Sequence, residues 1–154
     1  MPGDPDQASS WTSNPRRIAE RWARGFDQPI REAFGRATLG KPATSSPIAM
    51  AIKSVALTAF QPAARAGAHH RLVVVSDMLE HTGCFSSYRD PLDFEQIRSR
   101  PCFAGLRPDL RGVTLEIWQV ERMTRQPVQG RELVHFWEDL VATAGGALTR
   151  WHRL

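Results

Sequence analysis

The sequence predicts an α/β fold: a partial doubly wound (Rossmann-like), mostly parallel sheet of about three strands with flanking helices. Three observations carry this. Leu72-Val73-Val74-Val75 is a short continuous apolar run, the pattern of a strand buried on both faces of a parallel sheet. Residues 113–120 form a second strand, with Val113, Leu115 and Ile117 on one side and Thr114, Glu116 and Trp118 on the other. Apolar stripes at helical spacing lie before, between and after these segments, and strands alternating with helices imply parallel pairing.

The elements follow in order. Residues 1–14 are rich in Pro, Asp, Ser and Gly and read as a flexible segment. Pro15 opens a helix whose stripe is Ile18, Trp22, Phe26, Ile30 and Phe34. Pro29 interrupts it, so a kink or two helices are expected, with Asp27 able to cap the second. Ser46-Pro47 reads as the N-cap and first position of the next helix, with Ile48, Ala51, Ile52, Val55, Ala56, Ala59 and Phe60 inward. The strand at 72–76 ends in Ser76-Asp77. Asp90-Pro91 starts a short helix containing Phe94 and Ile97, and residues 99–111 read as loop. After the second strand, residues 131–144 form an amphipathic helix with Leu133, Val134, Phe136, Trp137, Leu140, Val141 and Ala144 inward. Gly145-Gly146 stops it, and a last strand fits 147–154. A single domain over 15–154 is the expected organisation.

Bulk properties fit this reading. The chain has 154 residues, 42% hydrophobic and 23% charged, enough apolar content for a packed core. No apolar run approaches the roughly 20 residues that cross a bilayer, and the polar start lacks the basic and apolar parts of a signal peptide. A cytoplasmic protein is expected. Cys84 and Cys102 are too few for a disulfide scaffold and are expected as reduced thiols, although spacing leaves a bridge between them open. The net charge is +4 and the excess is arginine, scattered among acids as in Arg16, Arg17, Arg21, Arg24, Arg31 and Arg36. Such scatter reads first as a solvated helical face and only second as a nucleic-acid surface.

Several segments together resemble the second half of a von Willebrand factor A-like (VWA) domain, similar to bacterial VWA-like proteins of unassigned role. They are Ser45-Ser46-Pro47-Ile48 with its helix, Arg71-Leu72-Val73-Val74-Val75-Ser76-Asp77-Met78-Leu79, Leu110-Arg111-Gly112-Val113, and Arg131-Glu132-Leu133-Val134-His135-Phe136-Trp137. Order and spacing carry the resemblance over roughly residues 10–154. It implies a fold lacking the N-terminal strands of a full VWA domain. It also implies a degenerate metal-dependent adhesion site. Ser46 stands where the family has a threonine ligand and Asp77 where it has its last aspartate. Both are hard oxygen donors, suited to Mg²⁺. The Asp-x-Ser-x-Ser motif is absent; Asp6-Gln7-Ala8-Ser9-Ser10 has the wrong spacing. Ser46 and Asp77 alone make a poor cage, so no cofactor is expected beyond weakly held Mg²⁺. Glu80, His81 and Thr82 could line the same rim, though each reads individually as surface. Plain structural roles also suit Ser46, as a helix cap, and Asp77, as a loop-capping acid.

Other chemistry is weakly signalled. His69-His70, His81 and Cys84 supply half a zinc site at most. No nucleophile elbow, P-loop or dinucleotide fingerprint occurs. The expected function is a non-catalytic protein–protein interaction module. Competing readings are a small metal-assisted enzyme using Asp77 with Glu80 or His81, and a basic nucleic-acid-binding accessory protein. The strand at 72–76 has no upstream partner for one of its edges. Self-association or pairing with a protein partner through that edge is therefore expected.

Overall fold

In the computed structural model, residues 15–29, 31, 32, 44–60, 70–122 and 128–154 are described. The segment expected to be flexible, residues 1–14, lies outside them. The chain groups into two compact units, Met1–Ala43 and Thr44–Leu154.

In the first unit, α1 (Pro15–Trp22) runs directly into a π-helical turn at Ala23–Asp27. Gln28 donates its backbone N–H to Ala23 O and keeps helical dihedrals. Of the two expected alternatives, a kink or a second helix capped by Asp27, the second does not occur. The cause is Pro29, which lacks an N–H and crowds the carbonyl four residues back. One wider π turn absorbs both problems without ending the helix. Asp27 instead grips Arg31 Nε through both carboxylate oxygens, at 3.0 and 2.9 Å. Trp22 and Phe26 stack with ring centroids 5.4 Å apart, as their four-residue spacing allows.

The second unit contains a three-stranded, fully parallel sheet, order β1-β2-β3, with flanking helices. In sequence the elements are α2 (Ile48–Ala59), β1 (His70–Ser76), α3 (Phe94–Arg98), a 3-10 turn at Pro101–Gly105, β2 (Val113–Gln119), α4 (Arg131–Thr143) and β3 (Ala147–Arg153). Val74 lies beside Ile117, and Ile117 beside Trp151. A small α/β fold is what the alternation of strand and helix patterns required.

One sheet face is the core face. Val113, Leu115 and Ile117 are buried there, with Leu72, Val74, Leu148 and Trp151 packed against the same cluster. Leu148 and Trp151 are three residues apart, so a regular strand would send them to opposite faces. A register shift between Leu115 and Glu116 adds one residue on β3 and returns Trp151 to the core side. Leu133, Phe136, Trp137, Leu140 and Val141 of α4 complete this core, each fully buried or nearly so. Burial of a large apolar side chain stabilises by about 1.5–3 kcal/mol, so this face of α4 is a principal source of stability.

The other face departs from expectation. Burial alternates along β1, leaving Val73 and Val75 each 40% exposed, so the strand is not buried on both faces. Trp118, beside Val75, is also 40% exposed. A continuous apolar run does not reveal whether a second layer covers it. The α2 face is likewise narrower than expected. Ile48, Ala49, Ile52, Ala56 and Phe60 are buried, whereas Ala51, Val55 and Ala59 are exposed.

Local punctuation explains the remaining connections. The short helix α3 is capped by Asp93, whose Oδ1 accepts from Gln96 N, and not by Asp90. Asp90 pairs with Arg100 at 3.0 Å. Residues 99–111, expected as loop, include the 3-10 turn that Pro101 begins. Cys84 and Cys102 form a disulfide, correcting the expectation of two reduced thiols. Folding brings their Cα atoms to 5.7 Å, within reach of a bridge, and such a bond persists in oxidising surroundings.

After α4, Gly145 N donates to Ala142 O and Gly146 N to Val141 O, a Schellman stop. Gly145 has φ 81°, and a Cβ there would lie 2.6 Å from Arg111 Cγ. Gly145→Ala is expected to cost about 1–2 kcal/mol, from the left-handed backbone penalty plus displacement of Arg111. Urea unfolding checks this; an unchanged midpoint would contradict the stop as described.

Candidate functional site

Ligands of open α/β sheets gather outside the carboxyl ends of the strands, and the loop leaving β1 occupies that position. Its conformation is fixed residue by residue. Ser76 Oγ accepts from Met78 N at 3.1 Å, and Asp77 Oδ1 accepts from Leu79 N at 3.1 Å. These two short-range bonds turn the chain sharply. Met78 sits at φ 59°, a conformation that costs a non-glycine residue energy unless neighbours impose it. Trp137 supplies that constraint, its Nε1 donating to Met78 O at 3.0 Å inside the core.

Asp77 is occupied on both oxygens. Besides the Leu79 amide, Oδ2 meets Arg122 Nε at 2.6 Å, and the carboxylate side chain is only 11% exposed. The backbone around the pair is tied by Gln129. Its Nε2 donates to Asp77 O at 3.0 Å and Val120 O at 2.9 Å, while its Oε1 accepts from Arg122 N at 2.8 Å. The loops after β1 and β2 are thereby fastened together. A divalent cation at Asp77 would have to displace a guanidinium already neutralising the carboxylate, so the residues present do not fit one in this arrangement.

Ser46 lies elsewhere. It is not the helix cap; Pro47 occupies that position and no side chain of its own caps α2. Ser46 pairs through its backbone with His81, at 2.8 and 3.0 Å. No hydrogen bond or ion pair joins Ser46 to Asp77 among the described residues. The folded chain brings Ser46 to the rim residues and Asp77 to the β2 loop.

Glu80 provides the cap that Ser46 does not. It is fully buried, against the expectation of a surface position, and Oε2 accepts from Ala49 N at 2.9 Å. A carboxylate at a helix start satisfies orphan N–H groups and suits the helix dipole. Burial nevertheless dominates, pushing the Glu80 carboxyl above its ordinary range. The Ala49 and Ile48 amides and the Thr82 side chain oppose that rise only in part. Its second oxygen, Oε1, is buried with no hydrogen-bond partner among the described residues.

His81 and Thr82 are half-buried. His81 Nδ1 lies 2.8 Å from Ser86 Oγ, and the His81 ring meets Tyr88 edge-on at 5.7 Å. Ser86 is itself fully buried and accepts a second contact from Tyr88 N at 3.3 Å. This Ser–His pair ties the loop together, with Ser86 buried. The half zinc site lacks a thiolate, because Cys84 is bonded to Cys102. Its His69 lies outside the described residues. Among the described residues no group of three or more His, Cys, Asp or Glu could hold a metal ion.

Arg122, Gln129 and Trp137 organise this rim, yet the sequence marks them only as loop or core positions. Many arginines are spent in pairs, including Arg71 with Glu116 and Arg100 with Asp90. No helix among the described residues is long and apolar enough to cross a membrane. Comparison with protein families, with curated proteins and with solved structures finds no match to this chain.

Proposed function

We propose that this chain is a non-catalytic, VWA-like protein–protein interaction module. It would engage its partner through the sheet face that exposes Val73, Val75 and Trp118 and through the adjoining β1 edge. The exposure of Val73, Val75 and Trp118 on that face, which no described helix covers, is the observation that carries the proposal. Purely parallel sheets are found almost only with both faces covered, since backbone and apolar side chains would otherwise meet water. Here the second face presents Val73, Val75 and Trp118, with Val120 just beyond at 43% exposed. Glu116, paired to Arg71 at 2.6 Å, lies beside Val73 on the same face, and His152 lies edge-on to Trp118 at 6.1 Å. Apolar and charged side chains share this face, with Val73 and Val75 on the edge strand and Trp118 and Glu116 on the central one.

The edge adds to the argument. Among the described residues β1 has only β2 as a strand neighbour, so half of its backbone groups point outward. Apart from the charged Arg71, His70–Ser76 has none of the usual devices that protect an edge, with no proline, lysine or bulge. The side chains at the carboxyl end favour binding over catalysis. Asp77 is ion-paired, Glu80 is sealed in the core, and Ser86 is buried.

Val75→Lys tests the reading with little risk to folding, because Val75 is well exposed. The wild-type chain is expected to self-associate with rising concentration in light scattering. The variant is expected to stay monomeric with an unchanged melting temperature. A wild-type chain that is a stable monomer at high concentration would overturn self-association through this surface.

A further inference from the structure

The first unit presents an apolar stripe that none of its described residues buries. No described side chain between Arg16 and Glu32 is buried. Ile18 and Trp22 are half-buried, and Phe26 is 41% exposed. Residues four apart are neighbours on a helix, so these three form one stripe along α1 and the π turn. The stacked rings of Trp22 and Phe26 make its far end aromatic. Ala19 and Ala23 border it on one side, three residues before Trp22 and Phe26. A contiguous apolar surface left in water marks a place where something docks.

A basic row adjoins the stripe and gives the missing cover a charge. α1 holds Arg16, Arg17 and Arg21 against a single acid, Glu20. Arg24 follows in the π turn. Arg17, Arg21 and Arg24 line one open cleft of about 540 Å³, together with Glu20 and Gly25. Arg21 comes three residues after Ile18, which places the row against the edge of the stripe. Arg24 meets Glu20 at 3.5 Å, but both side chains are largely exposed. Water and salt screen such a pair, so an outside anion competes with it readily.

We propose that α1 and its π turn form a docking surface for an anionic lipid bilayer, lying in the plane of the headgroups. Ile18, Trp22 and Phe26 would enter the acyl boundary, while Arg17, Arg21 and Arg24 would meet the charged headgroups. A helix with arginine on one face and Trp and Phe on the other has the general form of a surface-lying segment. Arginine suits the role because its apolar stem lies along the stripe while the guanidinium stays among the headgroups. The indole of Trp22 likewise combines an apolar body with a polar tip. No helix among the described residues is long and apolar enough to cross a membrane, and a surface-lying one needs no such length. Two rival occupants each use only half of the surface. Nucleic acid would meet the arginines and leave the stripe in water. An apolar groove on a protein would cover the stripe and leave the arginine row unmatched.

Flotation of the full chain with lipid vesicles tests this. One set is phosphatidylcholine alone; the other contains about one third phosphatidylserine, at physiological salt. The chain should float with the anionic vesicles and not with the neutral ones. Phe26→Ser should weaken binding by roughly tenfold, because the ring no longer enters the acyl boundary. Arg21→Gln should weaken it by roughly fivefold, the weight of one basic side chain at an anionic surface. Glu20→Gln should strengthen it by removing the acid beside Arg24, a gain that mere loss of helix would not produce. No flotation, equal flotation with neutral vesicles, or equal binding by all four proteins would overturn the proposal. Salt-dependent binding to duplex DNA without flotation, indifferent to Phe26→Ser, would overturn it in favour of nucleic acid.

Discussion

Trp137→Ala is expected to lower the stability of the second unit by about 3–5 kcal/mol, the cost of removing a buried aromatic side chain. Trp137 is fully buried in α4 and contacts Phe136 edge-on at 5.7 Å. Its indole N–H also satisfies Met78 O, so truncation leaves both a cavity and an unpaired buried carbonyl. Met78 then loses the contact that helps hold its left-handed backbone. At about 4–8 °C per kcal/mol for a domain near 100 residues, the melting point should drop by well over ten degrees. Trp137→Phe separates the two contributions. It keeps most of the volume and loses the hydrogen bond, for a cost of about 1–3 kcal/mol. Urea unfolding of both variants measures this. A loss below about 1 kcal/mol for the alanine variant would contradict the packing described.

Glu80→Ala is the second large effect, with an expected loss of about 1–3 kcal/mol because buried amides at the start of α2 lose their acceptor. The pH dependence is the sharper signature. The folded-state pKa of Glu80 is raised above the ordinary 4.5 because the carboxyl is buried. Above pH 4.5 the unfolded chain releases a proton that the folded chain still holds. Stability from this group therefore falls as pH rises, until Glu80 ionises in the folded state as well. Glu80→Gln cannot titrate and should remove that slope while retaining an acceptor for Ala49. Denaturant midpoints across mildly acidic pH distinguish the outcomes. Parallel profiles for wild type and the glutamine variant would show that Glu80 is not the buried acid described here.

The parts of this fold legible in the sequence are those set by local periodicity. Alternation at 113–119 identified the buried face of β2, and the 131–144 stripe with Gly145-Gly146 identified α4 and its stop. What escaped depends on partners distant in sequence. Glu80 looks like a surface acid until it meets Ala49, 31 residues earlier. Asp77 has the position of a metal ligand, but only folding brings Arg122 against it. Ser46 carries a good cap sequence, yet the start of α2 takes its acceptor from Glu80. The apolar run of β1 encodes a strand without encoding how many layers cover it. The bulge opposite Leu115 and Glu116 leaves no mark in composition, although it places Trp151 in the core.

Among the described residues β1 is an edge strand with an exposed outer face, and hydrogen exchange along His70–Ser76 at two protein concentrations tests this most directly. In dilute protein, amides directed at β2 should be protected and those directed outward should exchange quickly. Raising the concentration should protect the outward set, and Val75→Lys should abolish that change. Uniform protection of every β1 amide in dilute monomer would mean that another segment already pairs with the edge, and would contradict the account.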